Sequence, residues 1–276
     1  MSYTPAIPLS GLAGLRFLER TGEAQRAAHA SAPEIQRDIA YFKENIGNVT
    51  NAEELVNDRR LLTVVLGSYG LGDEIDKKAF VQRILDDGVD DPNALGSRLN
   101  NESYKQMARD LRLDTNFPRT SFDSIQDKIV SNYLDQSFEI SVGEQSESLR
   151  LALDFKRRAG DVGERGWFAL MGDSPNRTVL ETAMNLPSDI GSLDIDKQKE
   201  LFEERAFRLF GTREPSEIFS DPAKMDKLVS RYLVLDEVNN GSIGANVRGS
   251  TALTLLSNIN SGFGASATQS LFQSSL

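Results

Sequence analysis

Apolar residues recur every three or four positions along most of this chain, and residues that favour helix starts precede each such run. The first clear run follows Ser31 and Glu34, whose Ser-x-x-Glu spacing predicts that the two side chains cap a helix reciprocally. Its apolar stripe consists of Ile35, Ile39, Phe42 and Ile46. A stripe with this spacing covers one face of an α-helix, so we expect that face to pack against a core and Gly47 to end the helix.

The second run predicts one continuous helix. Thr50 and Glu53 repeat the capping spacing, and the stripe that follows on one face consists of Leu55, Leu62, Leu66 and Tyr69. Val64 and Val65 are β-branched, yet they lie within this 3.6-residue period, so helix is predicted for them rather than strand. Gly70 and Gly72 are then expected to end the helix.

The same pattern of capping residues and apolar stripes continues to about residue 238. Helix starts are predicted at Asn101, at Asp194 and at Asp221–Pro222, each followed by apolar residues at helical spacing. No alternating run bounded by a hairpin turn occurs in the sequence, so strands are not expected. The sequence therefore predicts an all-α, multi-helix globular protein with a polar C-terminal tail.

Glycine content indicates where the helical region divides. The segment Gly160–Gly166 holds three glycines among charged residues, which is typical of a boundary between elements. We therefore predict an N-terminal segment over residues 1–30, a first helical subdomain over 31–160 and a second over 161–238.

A weak internal repeat bears on how the two subdomains are related. Ile75-Asp76-Lys77 recurs as Ile195-Asp196-Lys197, and each copy precedes an apolar helix and a stopping glycine. Two similar helical subdomains are one interpretation. The other is coincidence, because helix boundaries draw on few residue types.

The composition changes after about Asn239, where serine, asparagine and glycine become frequent and Arg248 is the only charged residue. We predict a low-complexity, partly disordered tail over residues 239–276. The tail keeps a faint apolar stripe at helical spacing, formed by Leu256, Ile259, Phe263 and Leu271. These four residues are the predicted partner-binding site, since an amphipathic helix can dock into a groove of another protein.

Composition excludes several classes of function. The 276 residues include no cysteine, which excludes disulfides, thiolate metal sites and a cysteine nucleophile. The formal net charge of −10 provides no basic surface for phosphates, so nucleic acid is not an expected partner. No apolar stretch is long enough for a membrane span, and the first fifteen residues lack the positive charge of a secretory signal.

Candidate chemistry is sparse. Gly67, Gly70 and Gly72 reverse the spacing of a dinucleotide-binding loop, and helix capping explains them better. His29 is the single histidine and would have to serve any serine–histidine triad; a structural role is the simpler interpretation. Trp167 is expected in a core, with an exposed binding patch as the alternative. We accordingly predict no catalytic, cofactor-binding or metal-binding residue.

Two stretches resemble a known family. Leu55–Leu113, beginning LVNDRRLLTVVLGSYGLGDEIDKKAF, and Trp167–Tyr232, beginning WFALMGDSPNRTVLETAMNLP, are similar to the two signatures of the alphaproteobacterial domain-of-unknown-function family numbered 1217. The segment Arg37–Phe42 also resembles that family. The family is commonly encoded among flagellar genes and has no established activity, so the resemblance implies a setting but carries over no catalytic residue.

The resemblance and the tail together favour a non-enzymatic structural or assembly protein of the bacterial flagellum that acts through protein–protein contacts. The expected partner is a flagellar protein or a second copy of the chain, and the expected location is the cytoplasm or the flagellum. One alternative is a cytoplasmic helical adaptor or export chaperone for flagellar components. Another is an enzyme whose carboxylates converge only in the fold.

Overall fold

Residues 3–99 and 101–240 are described by a computed structural model, and they are predominantly helical. Of these residues 74% lie in helices and none in a strand, which confirms the predicted all-α class. They form two compact units. Of the described residues, unit 1 contains those up to Leu9 and those from Arg16 to Arg150, and unit 2 contains Ser10–Leu15 and those from Leu151 to Asn240. Two helices, α1 (Gly11–Ala30) and α9 (Glu147–Gly163), contribute residues to both units.

Unit 1 is built around α4 (Arg59–Ser68), which packs against α8 (Asp123–Gly143) and α2 (Pro33–Asn45). Its remaining helices are α3 (Ala52–Asn57), α5 (Lys78–Asp87), α6 (Leu95–Arg98) and α7 (Glu102–Leu111). The predicted apolar stripes meet in its core, where the fully buried side chains include Phe42, Ile46, Leu62, Leu66 and Ile129. Each such side chain contributes about 1.5–3 kcal/mol by leaving water, so this core fixes α4 at the centre of the unit.

Unit 2 is organised by α11 (Ser174–Ala183) packed against α14 (Pro222–Asn239). Around this pair lie α10 (Trp167–Gly172), α12 (Ile195–Phe210) and α13 (Pro215–Phe219). Its fully buried side chains include Val179, Leu180, Phe202, Leu228 and Tyr232. Each of these residues faces inward from a stripe with helical spacing, so the same physical rule that builds unit 1 builds unit 2.

Three predicted helix starts are confirmed. The side chains of Asn101, Asp194 and Asp221 each accept a hydrogen bond from a backbone N–H in the first turn of α7, α12 and α14, respectively. Val64 and Val65 lie inside α4, as predicted. Short polar side chains at these positions satisfy backbone donors that the helix itself leaves free.

The capping box predicted at Ser31 is wrong. The N-cap of α2 is Ala32, without a side-chain hydrogen bond, and the Ser31 hydroxyl donates to the Ala27 carbonyl at 2.8 Å. Ser31 therefore closes α1 by bonding back one turn instead of opening α2. The box predicted at Thr50 is shifted by one residue, because Asn51 caps α3 by accepting from the Glu54 N–H at 2.9 Å.

The continuous helix predicted over the second stripe is two helices, α3 and α4, separated at Asp58. The Asp58 carboxylate accepts from the backbone N–H groups of Arg60 and Leu61 at 3.0 Å each and from the Tyr41 hydroxyl at 2.7 Å. Leu55 and other stripe residues on either side of the break stay buried. The apolar stripe is thus continuous although the backbone is not, which is why periodicity alone did not locate the break.

The glycines expected to separate two subdomains lie largely inside α9, which continues to Gly163. A β-carbon at position 163 would lie 2.4 Å from the ring of Phe219, so this glycine, the last residue of α9, permits close packing within unit 2. The compact units divide between Arg150 and Leu151, earlier than the predicted division at residue 160.

The two copies of the weak repeat occupy different local structures. Ile75-Asp76-Lys77 connects the 3-10 turn Gly72–Glu74 to α5, whereas Ile195-Asp196-Lys197 forms the first turn of α12. The residues predicted to form the N-terminal segment contain α1.

Tyrosine–carboxylate pairs recur in unit 1. They are Tyr41–Asp58 at 2.7 Å, Tyr69–Asp110 at 2.8 Å and Tyr133–Asp38 at 3.0 Å, with the tyrosine hydroxyl as donor. Burial, followed by the charge of the neighbouring carboxylate, raises the pKa of Tyr69 and of Tyr133. The hydrogen bond to Asp58 raises the pKa of Tyr41. Each pair joins two helices or the cap of one helix to another.

Candidate functional site

The four tail residues predicted to bind a partner lie outside the described residues, since Leu256, Ile259, Phe263 and Leu271 all follow residue 240. Within the described ranges, no group of three or more His, Asp or Glu side chains could hold a metal ion. Over the same residues no helix is long and apolar enough to cross a membrane.

His29 is buried at the end of α1, between the rings of Tyr3 and Phe138, with centroid distances of 5.9 and 5.8 Å. Its Nε2 lies 2.9 Å from the Ser137 hydroxyl, which itself donates to the Leu134 carbonyl. This pattern assigns the ring proton to Nε2 and leaves Nδ1 buried, with no partner among the described residues. Burial lowers the pKa of His29, because a charged ring would lose its hydration. The geometry is that of a structural histidine.

Trp167 lies in the core of unit 2, as expected, and is only 3% exposed. Its indole Nε1–H donates to the Arg213 carbonyl at 2.7 Å, and its ring stacks on Phe202 at a centroid distance of 5.7 Å. The neighbouring Phe168 is 47% exposed. The indole is thus both packed and hydrogen-bonded, which is the arrangement that favours burial of a tryptophan.

A charged cluster is buried in unit 2. Arg158 lies between two carboxylates, with Nη1 3.2 Å from Asp154 Oδ2 and Nη2 2.6 Å from Asp173 Oδ2. Arg157 also pairs with Asp154, at 2.7 Å. The second oxygen of Asp173 accepts from the Asn176 N–H and thereby caps α11. The cluster therefore holds α9 against the start of α11.

Glycines at the end of α4 open a groove in unit 1. Gly70 adopts a φ of +70°, and the following Leu71 N–H donates back to the Leu66 carbonyl at 2.8 Å, which closes the helix. This conformation confirms the capping interpretation for Gly70. Gly67, Gly70 and Gly72 also form one wall of the groove. Their role in ending the helix does not by itself predict this position, which follows from the fold.

The groove has a volume of about 420 Å³, within the range of roughly 300–1,000 Å³ that is usual for ligand sites. Its opposite side is α8, and its end is formed by Gly143 and the beginning of α9. A β-carbon at Gly67 would lie 3.1 Å from the ring of Tyr133, so α4 and α8 approach closely beside the groove. Four glycines line it in all, which leaves much of its wall as bare backbone.

Gln136 presents its side-chain amide to this groove. The residue is 7% exposed, lines the groove, and its Nε2 lies 3.4 Å from where a β-carbon at Gly70 would be. Among the described residues its amide has no hydrogen-bond partner. Its amide atoms are not among the fully buried, unpaired side-chain atoms of the described residues, so solvent in the groove reaches them and a ligand there would take the place of that solvent.

Acidic side chains surround the groove. Glu147 pairs with Arg150 through two hydrogen bonds, one of them from Nε at 2.7 Å. Asp73 and Glu144 are exposed and have no ion pair within the described residues. The rim therefore carries an uncompensated negative charge on the two sides of the opening.

A second surface is the loop between α7 and α8, residues 112–122, which we term the aromatic loop. Phe117 is 85% exposed and Phe122 is 53% exposed. Phe122 also occupies the N-cap of α8 without a side-chain hydrogen bond, at a position where serine or aspartate is strongly preferred. Phe122 is thus an exposed aromatic side chain at a position where local stability favours a small polar residue.

The backbone of the aromatic loop is held in place at several points. The Arg119 N–H donates to the Leu111 carbonyl at 2.8 Å, and the buried Thr120 hydroxyl donates to the Val49 carbonyl at 2.7 Å. Arg112 begins the loop with a φ of +52°, a left-handed conformation that costs a non-glycine residue roughly 1–2 kcal/mol. These constraints fix the direction in which Phe117 is presented.

The fold and its surfaces define the class as an all-α protein of two compact helical units, one of them carrying a glycine-walled groove. A family described as a protein of unknown function, DUF1217, matches residues 68–225, more than half of the chain, and the chain belongs to this family. The crystal structure of protein AGR_C_984 from Agrobacterium tumefaciens is similar, with a TM-score of 0.71. The two chains are 25% identical, and the match covers 86% of this chain and 99% of that one. A comparison with curated proteins finds no match.

Sequence reasoning identified the glycines of the groove but assigned them only to capping, and it missed Gln136. A glutamine within a helix is ordinarily solvated, and only the packing of α8 against α4 buries this one. The exposed Phe117 carries no sequence signal either, because an aromatic residue in a loop is equally compatible with burial.

Proposed function

We propose that the protein is a non-enzymatic structural or assembly component of the bacterial flagellum, that it acts through protein–protein contacts, and that the aromatic loop is one of its contact surfaces. Support for a contact surface comes from Phe117, which is 85% exposed on a loop with a fixed backbone. Aromatic residues are enriched in protein interfaces. A loop that is already ordered loses little further entropy on binding. The flagellar setting rests on the family resemblance.

The direct test replaces Phe117 with serine in the full chain, in the bacterium that encodes it. Because the side chain is so exposed, the free energy of unfolding should change by less than about 0.5 kcal/mol. Motility and the amount of the protein recovered with purified flagella should both fall. The matched control is Phe168→Ser, which removes an exposed aromatic side chain from unit 2 and should change neither readout.

A photo-crosslinking amino acid at position 117 provides an independent readout, since it should join the chain to one defined protein in flagellated cells. Wild-type chain that never copurifies with flagella would contradict the proposed setting. Unchanged motility and recovery in the Phe117→Ser strain would exclude the loop as the contact.

The tail stripe, Leu256, Ile259, Phe263 and Leu271, is proposed as a second contact. Deleting residues 240–276 should weaken association with the flagellar partner or self-association while leaving the melting temperature nearly unchanged, because the cores of both units lie before the deletion. A truncated protein that unfolds, or that keeps every interaction, would contradict this part of the proposal.

A further inference from the structure

We propose that the glycine-walled groove of unit 1 binds an extended segment of a partner polypeptide that carries a lysine or arginine side chain. The inference shares with the proposed function the idea that the partner is a protein. The groove is a different surface from the aromatic loop, however, so a failed test of one proposal leaves the other standing.

The wall of the groove favours a polypeptide backbone as ligand. Gly72 has open space where a β-carbon would lie, so another main chain can approach its backbone closely. At Gly143 the space that a β-carbon would take is filled by the aliphatic part of Arg150, 2.6 Å from that position. At Gly67 the ring of Tyr133 takes the same space, 3.1 Å from that position, and at Gly70 the space faces the Gln136 amide at 3.4 Å. Gly70 and Gly72 are therefore the glycines beside which a ligand backbone can lie.

The Gln136 amide supplies the polar recognition. It offers one donor group and one acceptor group, which together match the C=O and N–H of a peptide backbone. Gln136 is only 7% exposed, its amide has no partner among the described residues, and its amide atoms are not fully buried, so a ligand in the groove would replace solvent as its hydrogen-bond partner. An extended strand presents such groups outward, whereas a helix uses them internally.

The acidic residues at the rim of the groove favour a basic side chain on the bound peptide. Asp73 and Glu144 are exposed carboxylates without an ion pair in the described part of the chain, and they flank the opening. Ile140, 49% exposed, lines the same groove and provides an apolar surface. Lysine and arginine combine an aliphatic stem with a cationic head, so they can use the isoleucine and the carboxylates together.

The test measures the side-chain amide resonances of Gln136 in ¹H–¹⁵N spectra of the full chain, assigned by their loss in the Gln136→Met variant. The probes are the N-acetylated, C-amidated tripeptides Gly-Lys-Gly, Gly-Gln-Gly and Gly-Glu-Gly, together with n-butylammonium as a cation without a backbone. The Gly-Lys-Gly peptide should shift the Gln136 amide saturably, with a Kd on the order of millimolar for so small a ligand. The amide of Gln126, bonded to the Thr120 carbonyl at 2.8 Å, is the internal control.

The two parts of the proposal are tested separately. With binding followed by the backbone amide resonances of Gly70 and Gly72 in the same spectra, Gln136→Met should weaken binding of the Gly-Lys-Gly peptide about tenfold, since the ligand loses its hydrogen bonds to the glutamine. Asp73→Asn with Glu144→Gln should weaken it about fivefold, a value suited to exposed charges. Because both acids are exposed, this double variant should fold even if Gln136→Met does not. Its control is Glu53→Gln with Asp86→Asn, which removes two exposed carboxylates elsewhere in unit 1 and should have no effect.

Three outcomes would overturn the inference. The first is no shift of the Gln136 amide at peptide concentrations up to about 50 mM, far above the expected Kd. The second is equal binding of the Gly-Lys-Gly and Gly-Glu-Gly peptides, which would contradict selection by the acidic rim. The third is binding of n-butylammonium as tight as that of Gly-Lys-Gly, which would make the groove a cation site without peptide recognition.

Discussion

The buried cluster around Arg158 allows a quantitative prediction for the variant Arg158→Met. The Arg158 side chain is 19% exposed, and its two carboxylate partners, Asp154 and Asp173, are 3% and 7% exposed. Methionine preserves most of the volume and removes the charge. The two carboxylates would then differ in their remaining partners among the described residues: Asp154 keeps its ion pair with Arg157, whereas Asp173 keeps only the hydrogen bond from the Asn176 N–H.

Removing one partner of a buried ion pair typically costs 3–5 kcal/mol, because a charge is left without compensation. Since only one carboxylate is stranded here, we expect the loss for Arg158→Met to be about 3 kcal/mol, at the lower end of that range. Adding Asp173→Asn should reduce the loss to about 1 kcal/mol, because asparagine removes the stranded charge and still caps α11.

The measurement is urea unfolding at neutral pH followed by tryptophan emission. Trp167 is the single tryptophan, it is buried, and it belongs to the same unit as Arg158, so its emission reports unfolding of unit 2. Arg208→Met is the control, since Arg208 and its partner Glu204 are 63% and 51% exposed and their pair should contribute at most about 0.5 kcal/mol. A loss below about 1 kcal/mol for Arg158→Met, or no rescue by Asp173→Asn, would refute the argument from stranded charge.

Three further predictions concern unit 1. Burial lowers the pKa of His29, so at mildly acidic pH the unfolded chain binds a proton at His29 that the folded chain does not bind. The free energy of unfolding should therefore fall as the pH drops below about 6.5, and the variant His29→Gln should show a smaller dependence on pH. Gly70→Ala should lower the free energy of unfolding in urea by roughly 1–2 kcal/mol, because Gly70 has a left-handed φ. Gly72→Ala, whose β-carbon would lie in open space, should change it by less than about 0.5 kcal/mol. Equal effects of the two substitutions would contradict the conformational argument. Asp58→Ala should cost about 1–3 kcal/mol, since it removes two N-cap hydrogen bonds and the acceptor of the Tyr41 hydroxyl, and Asp58→Asn should recover most of the loss in the same assay.

The sequence was informative at several positions where a side chain bonds to the nearby backbone, although it misplaced the caps at Ser31 and Thr50. Asn101, Asp194 and Asp221 cap helices through bonds to N–H groups two or three residues away, and this local geometry is encoded in the order of residues. The all-α class followed from the same signals. The break at Asp58 was missed because the buried stripe of leucines continues across it, so the hydrophobic period contains no interruption.

What the sequence could not supply are the distances between segments that are far apart in the chain. Gly163 resembled a boundary, but it is a glycine because the ring of Phe219 packs against it. The groove likewise depends on α8 lying beside α4, which buries Gln136 and brings the glycines of one helix end opposite Gly143. Neither contact is marked in the sequence by a hydrophobic period or a motif, so both became visible only in the folded structure.

The tyrosine–carboxylate pairs give the two units different responses to alkali. Five of the six tyrosines belong to unit 1, and Tyr41, Tyr69 and Tyr133 donate to carboxylates that would repel a phenolate. Since their pKa values are raised in the folded state, the stability they contribute is present below about pH 10 and is lost as the pH rises above that value. Alkaline pH should therefore destabilise unit 1 more than unit 2. Ultraviolet difference spectra, which detect phenolate formation, should report the loss of stability of unit 1. The tryptophan emission of unit 2 serves as the reference within the same chain.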